Sequence, residues 1–368
     1  MTSLPIGINS RERDDVFSID PRGFNRHTFW CGQSGSGKTY SLGVLLEEIV
    51  LRTGLPVFVL DPNSDFTNFG ELATVHKLVP SEEIRVVRPG GAGTEGLNVR
   101  FTELSLKSKA AILRLDPVTD YEDFNTLLRV DGKLQENRDE YAVGGDYVGA
   151  LRSSEDPTRE RLATRIENLE ILDWDIWAHG SVSSADLVES RRAFTSFDLG
   201  ALRQPEEVQI AALSALERLW ASRFRREPLL IVVEEAHNFC PPNPDTALKK
   251  QLADLFIKIA SEGRKFGLWL LLSTQRPNKL EPQVLSQCEN VGLLRLNSKA
   301  DRNEIQSSFN FLEPELIDES PFLKSGEVIL AGRFVQEPGI VQMKRRLTKE
   351  GGADVKVPMK RPLDANAK

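Results

Sequence analysis

The sequence lacks the features of a secreted, membrane-spanning or strongly basic protein. Its 368 residues include three cysteines, Cys31, Cys240 and Cys288, whose wide spacing fits neither a disulfide framework nor a zinc site. The longest apolar runs fall far short of the roughly 18 residues that a membrane span needs, and the amino-terminal stretch has no apolar core typical of a signal peptide. Acidic residues outnumber basic ones by 54 to 47, giving a net charge of −7. We therefore expect a cytoplasmic protein without membrane association, in which nucleic acid could be contacted only through a local patch.

The composition, with 40% hydrophobic and 27% charged residues, is that of an ordinary globular protein. Short apolar runs alternate with helical stretches, and most of the runs lack the polar alternation of a half-exposed strand. This pattern predicts an α/β fold with a mainly parallel sheet covered on both faces. The predicted strands are His27–Gly32, Pro56–Asp61, Ile84–Arg88, Phe194–Leu199, Leu229–Val233, Leu268–Thr274, Val291–Leu296 and Glu327–Ala331.

The pattern changes between Thr102 and about Arg192. Apolar residues three and four apart predict helices over Thr102–Leu115 and Arg159–Trp177, with the polar stretch Asp131–Pro157 between them. We expect the whole segment to be helical and to contain a mobile loop. Two further helices are predicted, one opening at Pro205 and one running from about residue 245 to Gly263. We therefore predict a core made of residues 1–101 and 193–347, a helical insertion at 102–192, and a disordered tail at 348–368.

A glycine-rich segment between a predicted strand and a predicted helix, Gly32–Thr39, reads GQSGSGKT and fits the pattern G-x-x-x-x-G-K-[ST]. Glycines let such a loop wrap a phosphate chain with its N–H groups, while Lys38 supplies positive charge and Thr39 a hydroxyl for Mg²⁺. The alternative is a surface turn rich in glycine and serine. We predict that ATP and Mg²⁺ bind here, with nucleotide contacts from Gly32, Gln33, Ser34, Gly35, Ser36, Gly37, Lys38, Thr39 and Tyr40.

Acidic side chains follow two other predicted strands. Leu229–Val233 runs into Glu234 and Glu235; we assign Glu234 to the metal and Glu235 to the polarisation of an attacking water. The neighbouring His237 either relays the nucleotide state or only packs. Asp61 closes another strand and is a candidate to orient water or Mg²⁺, unless it merely forms an Asp-Pro turn.

A polar amide and several arginines complete the candidate site. Gln275 follows the strand Leu268–Thr274, where it could sense the terminal phosphate or simply cap the strand. Arg264 is the first choice for an arginine that acts on a neighbouring subunit's phosphates, with Arg295 and Arg302 behind it. Each of them could equally be a solvated or salt-bridged surface residue.

Together these motifs resemble those of one ATPase family. The segments GQSGSGKT, FVLDPN, LLIVVEEAHNFCP, ASEGRKFGLWLLLSTQRPNKLEPQVLSQCENVGLLRL and GEVILAG are similar to the HerA branch of the HerA–FtsK ATPases, over about residues 28–100 and 194–343. The resemblance implies a RecA-like P-loop ATPase core, a homo-hexameric ring, and ATP-driven movement of double-stranded DNA. It also implies a nuclease partner such as NurA, in DNA end processing, or another effector in anti-phage defence.

The resemblance places the family's functional positions on residues already singled out. The phosphate loop falls on Gly32–Thr39, the strand-two acid on Asp61, the acidic pair on Glu234 and Glu235, the sensor amide on Gln275 and the arginine finger on Arg264. Because about 30 residues precede the loop, we do not expect the family's usual N-terminal β-barrel, and residues 102–192 would replace it or line the pore. The candidate DNA contacts, otherwise solvated helix faces, are Arg129–Lys133, Arg191–Arg192 and Arg223–Arg226.

Two other functions fit the same motifs. In one, ATP binding assembles or gates an effector complex and no DNA is translocated. In the other, the chain is a secretion or conjugation-type P-loop ATPase that moves protein or single-stranded DNA.

Overall fold

The computed structural model describes residues 3–11, 15–90, 96–136, 147–171, 174–178 and 183–352. The middle of the predicted loop at 131–157 and most of the predicted tail, residues 353–368, lie outside the described residues. Residues 348–352 of that tail are described and pack against the rest of the chain. In the described ranges no helix is both long enough and apolar enough to cross a membrane.

Within these ranges eleven strands form one sheet, in the order β2-β1-β11-β10-β9-β3-β8-β7-β4-β6-β5. The seven strands from β9 to β5 pair in parallel, and the remaining four add antiparallel pairs at the other side. The predicted α/β fold with a mainly parallel sheet is thereby confirmed. The strands are β1 (Leu4–Asn9), β2 (Val16–Ile19), β3 (His27–Cys31), β4 (Val57–Asp61), β5 (Ile84–Val87), β6 (Phe194–Asp198), β7 (Leu229–Val233), β8 (Leu268–Thr274), β9 (Cys288–Leu293), β10 (Glu327–Gly332) and β11 (Gly339–Met343).

The central strands coincide with the predicted ones to within about three residues, because both of their faces are covered. Every residue of β3, β4, β6 and β7 is buried, which favours largely apolar runs such as those of β4 and β7. Three strands were missed: β1, β2 and β11. They lie in the antiparallel part of the sheet, where fully buried positions mix with less buried ones and the apolar signal is weak.

The helices, in chain order, are α1 (Lys38–Arg52), α2 (Glu71–Val75), α3 (Leu106–Ile112), α4 (Tyr121–Glu136), α5 (Tyr147–Arg152), α6 (Pro157–Asn168), α7 (Ser184–Glu189), α8 (Pro205–Ala221), α9 (Ala247–Glu262), α10 (Pro282–Leu285), α11 (Lys299–Ser308) and α12 (Pro314–Glu319). The predictions for α8 and α9 are confirmed. Between residues 102 and 192 the helices are shorter and more numerous than predicted. Within the polar stretch 131–157, α4 continues to Glu136 and α5 begins at Tyr147.

The two faces of the sheet carry separate hydrophobic clusters. One contains α1 and residues of β1, β10 and β11. The other contains α8, α9 and apolar residues of segment 102–192, such as Leu127, Leu162 and Ile176, in a single continuous cluster. The helices of that segment are therefore packed into the same core as the sheet. Its status as an insertion stays a prediction.

Candidate active site

The glycine-rich segment leaves the carboxyl end of β3 and enters α1 at Lys38. Gly35 and Gly37 have φ of 71° and 88°, the left-handed region that favours glycine. Gly37 also lies against Gly326, whose nitrogen would be 2.9 Å from a Cβ at position 37. The Gly326 N–H donates to the carbonyl oxygen of Ser36 at 3.1 Å. The loop is thus held in a glycine-dependent turn that leads directly into α1, the arrangement that a phosphate cradle requires.

Lys38 points into a buried group of acceptors. Its Nζ lies 2.7 Å from Glu234 Oε2, 3.2 Å from Glu235 Oε1 and 3.0 Å from Ser273 Oγ. Burial by itself would lower the pKa of Lys38, but the two carboxylates outweigh burial and raise this pKa above its usual value. The lysine is therefore positively charged at neutral pH and is neutralised by its own chain.

Glu234 and Glu235 directly follow the last residue of β7, and their side chains have different hydrogen-bond partners. Glu234 is fully buried; its Oε2 accepts a hydrogen bond of 2.8 Å from Ser273, while its Oε1 has no hydrogen-bond partner among the described residues. Glu235 has a left-handed backbone, with φ of 47°, which is rare for a residue with a Cβ. This turn directs its side chain to Gln275, whose Nε2 donates to Glu235 Oε1 at 2.8 Å.

Burial raises the pKa of Glu235, but Lys38 and the hydrogen bond from Gln275 act more strongly and hold it below its usual value. Glu235 is thus an ionised carboxylate, able to accept a proton. His237 Nδ1 lies 2.9 Å from Thr274 Oγ1 and 3.4 Å from Glu235 Oε2. Burial lowers the pKa of His237 despite this carboxylate, so the imidazole is neutral at pH 7. His237 therefore belongs to the polar network that joins the ends of β7 and β8.

Two aspartates beside α1 have different surroundings. Both oxygens of Asp61 accept backbone hydrogen bonds, from Asp65 at 3.0 Å and from Phe66 at 2.9 Å, so this predicted site residue shapes the turn after β4. Asp65, which the sequence reasoning missed, reaches the nucleotide loop: its Oδ2 lies 3.3 Å from Thr39 Oγ1. Burial raises the pKa of Asp61 to about 7, and burial together with Glu234 raises that of Asp65 to about 6. The sequence feature that could have indicated Asp65 is its position, four residues after the acid that ends β4.

The oxygens around Thr39 suit Mg²⁺. The Thr39 hydroxyl, the Asp65 carboxylate and the unpartnered Oε1 of Glu234 are hard donors of the kind that this cation takes. No group of three or more His, Cys, Asp or Glu in the described part of the chain could hold a metal by itself. Mg²⁺ at phosphate sites typically uses one or two carboxylates together with substrate oxygens, so the residues present fit it.

The candidate arginines lie in three different places. Arg264 precedes β8, at the edge of the sheet opposite the phosphate loop, where its Nη1 contacts Glu289 Oε1 at 2.8 Å. Arg295, which follows β9, donates to the Gly35 carbonyl oxygen of the phosphate loop at 3.1 Å. Arg302 donates to the carbonyl oxygen of Asn297 at 2.8 Å. None of the three reaches Lys38 or Glu235 within this chain. A role for Arg264 in a neighbouring subunit stays a prediction.

Tyr40, predicted to contact nucleotide, uses its hydroxyl to hold a segment that follows β11. We call this segment, residues 344–352, the carboxyl-terminal strap. The Tyr40 hydroxyl donates to the carbonyl of Lys344 at 3.2 Å and accepts the Arg346 N–H at 2.9 Å. Arg346 in turn donates from Nη1 to the Thr39 carbonyl at 3.4 Å. The strap therefore contacts the first turn of α1, a neighbourhood that no sequence motif indicated.

Comparisons with known proteins agree with this geometry. The family model described as the central domain of helicase HerA matches residues 14–192, just under half of the chain, and includes segment 102–192, for which no motif was recognised. A probable helicase of Methanocaldococcus jannaschii is 26% identical over 90% of this chain and 64% of its own length. The DNA double-strand break repair helicase HerA of Saccharolobus solfataricus is 25% identical over 87% of this chain and 64% of its own length.

Among solved structures, VirB4 of Thermoanaerobacter pseudethanolicus superimposes with a TM-score of 0.64 at 18% identity, over 93% of this chain and 96% of that one. The bacterial conjugative coupling protein TrwB gives a TM-score of 0.59 at 12% identity, over 96% and 91%. At these identities the likeness concerns the fold. The chain spans 64% of the length of each of the two helicases named above. In its motifs and in these relatives the chain is similar to the HerA–FtsK superfamily of P-loop ATPases.

Proposed function

We propose that the chain hydrolyses ATP in the presence of Mg²⁺ and, as a homo-hexamer, uses the energy to translocate or unwind double-stranded DNA. A nuclease or other effector would act with it, in DNA end processing or anti-phage defence. One observation carries the ATPase part: Lys38, Glu234, Glu235 and Gln275, which come from three separate stretches of sequence, meet within hydrogen-bonding distance beside a phosphate loop.

The geometry suggests a division of labour. The phosphates of ATP would take over Lys38 from the two carboxylates and free them for chemistry. Glu235, ionised and bound to Gln275, would then accept the proton of the attacking water, and Gln275 would orient that water. Thr39, with Glu234 or Asp65 close by, would hold Mg²⁺, which when bound neutralises phosphate charge.

Two facts support a DNA-handling ring. Relatives that align with most of this chain are named helicases, and one of them a double-strand break repair helicase. Arg264 lies at the sheet edge opposite the phosphate loop and is half exposed, so a phosphate could meet it only if another subunit presented its site to this edge. An arginine shared in this way requires a multi-subunit assembly.

The test is the rate of ATP hydrolysis with and without linear duplex DNA. Lys38→Ala should abolish hydrolysis, and Glu235→Gln should lower it by about a hundredfold or more, since loss of a general base costs about that much. Glu315→Gln, at an exposed glutamate far from the loop in sequence, is the matched control and should keep full activity.

The outcomes separate the competing functions. Normal hydrolysis by a folded Lys38→Ala variant would show that the phosphate loop is assigned wrongly. An ATPase that ignores DNA but still forms rings or effector complexes would exclude the motor and support the gating function.

A further inference from the structure

An aromatic and cationic cluster lies at the sheet edge opposite the phosphate loop. It joins the end of α8 to the segment that enters β8, and its rings are Trp220, Phe224 and Phe266. Phe266 meets the other two edge to face, at centroid distances of 5.9 Å from Trp220 and 5.5 Å from Phe224. Trp220 and Phe266 are each 8% exposed, whereas Phe224 is 69% exposed. Two buried rings therefore support a third that stands in solvent.

Arg223 is packed among these rings. Its guanidinium carbon lies 4.5 Å from the centroid of Trp220, 4.3 Å from that of Phe224 and 5.6 Å from that of Phe266. Its Nη1 donates to the Trp220 carbonyl at 2.7 Å, and its buried Nε has no hydrogen-bond partner among the described residues. Arg223 thus stiffens the exposed ring and places a positive charge beside it.

Three more cations surround the rings. Lys258 Nζ lies 5.1 Å from the Trp220 centroid, Lys265 Nζ lies 5.3 Å from the Phe266 centroid, and Arg226 is exposed beside Phe224. In the part of the chain that the structure describes, none of these three, nor Arg223, forms an ion pair with a carboxylate. Two nearby acids have arginine partners of their own: Glu189 pairs with Arg225 at 2.9 Å, and Glu227 lies 3.9 Å from Arg191. In a chain of net charge −7, four cations without a counter-ion mark an anionic ligand.

We propose that this cluster binds single-stranded DNA, with an unpaired base stacked on Phe224 and the flanking phosphates paired with Arg226, Lys258 and Lys265. An exposed ring on a rigid support offers the flat apolar face that a base takes up, and the cations offer the charge that its backbone needs. A protein partner with an acidic surface would use the cations but would not require the ring. The inference rests on the nucleic-acid part of the proposed function and does not depend on ATP hydrolysis.

The test is fluorescence anisotropy with a labelled oligothymidylate of about 20 nucleotides, measured over a range of salt concentrations. Phe224→Ala should weaken binding by about tenfold at every salt concentration, as loss of one base stack does, without changing the dependence on salt. Phe224→Trp should restore binding. Arg226→Ala should lower the slope of log affinity against log salt by about 0.7, the contribution of one phosphate contact on a single strand.

Two controls make the result decisive. Phe322→Ala removes another exposed phenylalanine, 84% exposed and outside the cluster, and should bind as the wild type does. Lys38→Ala should also bind normally, so a failure of the ATPase assignment is visible separately. Unchanged affinity for the oligothymidylate in both Phe224→Ala and Arg226→Ala would overturn the proposal. It would also be overturned if duplex DNA competed with the oligothymidylate as well as unlabelled single strands do and Phe224→Ala had no effect.

Discussion

Single buried charges in this protein are stabilised in two ways. Lys38 is balanced by Glu234 and Glu235, groups that nucleotide phosphates could displace. Glu47, fully buried on α1, is balanced by the strap: its Oε1 accepts the Thr348 N–H at 2.8 Å and the Thr348 hydroxyl at 2.7 Å. A buried charge is costly unless it is paired and hydrogen-bonded, so each of these contacts is needed. We propose that the phosphates of ATP exchange with the first set, because Lys38 lies at the end of the phosphate loop.

His27 is a buried residue outside the site whose protonation can be tested directly. Its Nε2 lies 3.0 Å from the Ala260 carbonyl and its Nδ1 accepts the Leu270 N–H at 2.9 Å, an arrangement that the neutral ring satisfies. Burial lowers its pKa to about 4. The folded state therefore keeps His27 neutral, and its contribution to stability is complete above the unfolded pKa of about 6.5 and is lost as the pH falls toward 4.

We expect the stability difference between wild type and His27→Gln to shrink by about 2–3 kcal/mol between pH 7 and pH 4.5, because only the wild type gains a proton on unfolding there. Urea unfolding at both pH values measures it. Burial raises the pKa of Asp61 to about 7, so this residue makes the protein more stable as the pH falls, opposite to His27. Asp61 is present in both proteins, and the difference in unfolding free energy between wild type and His27→Gln therefore isolates His27. A difference that stays constant would show that His27 is not held neutral.

At the scale of elements, α1 connects the phosphate loop to the strap. Its first turn supplies Lys38 and Thr39, and its middle receives Arg346, which is 2% exposed at its side chain. Gly43 makes room for that arginine, since a Cβ there would lie 2.4 Å from Arg346 Nε. Arg346 also stacks its guanidinium 5.5 Å from the Phe66 centroid and cannot move away freely. The glycine is therefore explained by packing between elements and not by the helix itself.

Gly43→Ala should destabilise the protein by about 1–2 kcal/mol even though alanine is the better helix former, because the crowding of Arg346 exceeds the gain in helix propensity. Gly132→Ala in α4 is the matched control: nothing lies within 4 Å of a Cβ there, so it should stabilise by up to about 1 kcal/mol. Chemical denaturation measures both. If Gly43→Ala were stabilising, the tight packing of the strap on α1 would be wrong.

At the scale of the whole molecule, the two edges of the parallel sheet differ in chemistry. The carboxyl ends of β3, β7 and β8 carry the phosphate loop, the acidic pair and Gln275. The amino ends carry Arg264 and the aromatic and cationic cluster. The strands β7 and β8 are each only a few residues long and rise about 3.3 Å per residue. The two sets of groups are therefore separated only by the length of these strands. In a ring, this arrangement would allow the active site of one subunit to meet Arg264 of the next while Phe224 stays open to solvent.

Mixing experiments test that arrangement. If Arg264 completes a neighbour's site, Arg264→Ala subunits should lower the ATPase rate of mixed assemblies more steeply than their fraction, while the pure variant loses about a thousandfold. Arg333→Ala is the matched control, since Arg333 lies 3.5 Å from the same Glu289 carboxylate and is more exposed than Arg264. A linear decline for Arg264→Ala would mean that this arginine only pairs with Glu289.

Patterns in the sequence predicted most of the elements whose formation depends on residues close together in the chain. The central strands, α8 and α9 could be predicted because continuous apolar runs and helix-capping residues act over a few residues. The segment 102–192 could be predicted only in outline, since its short helices owe their bounds to packing on the shared core. The antiparallel strands were missed for a related reason: β2 has only one buried residue, and pairing with β1 defines it.

The sequence by itself determined the phosphate loop and the acids and amide at strand ends, because these depend on neighbours along the chain. Only the tertiary structure decided which of those groups meet. The order of strands in the sheet brings Glu234, Glu235 and Gln275 to Lys38. Asp61 accepts hydrogen bonds from the turn that follows it, whereas Asp65 reaches Thr39. Arg264 lies at the opposite edge of the sheet. The cluster of Trp220, Phe224 and Phe266 likewise exists only because α8 ends beside the entrance to β8. Such contacts depend on the order of strands in the sheet, which no local pattern in the chain encodes.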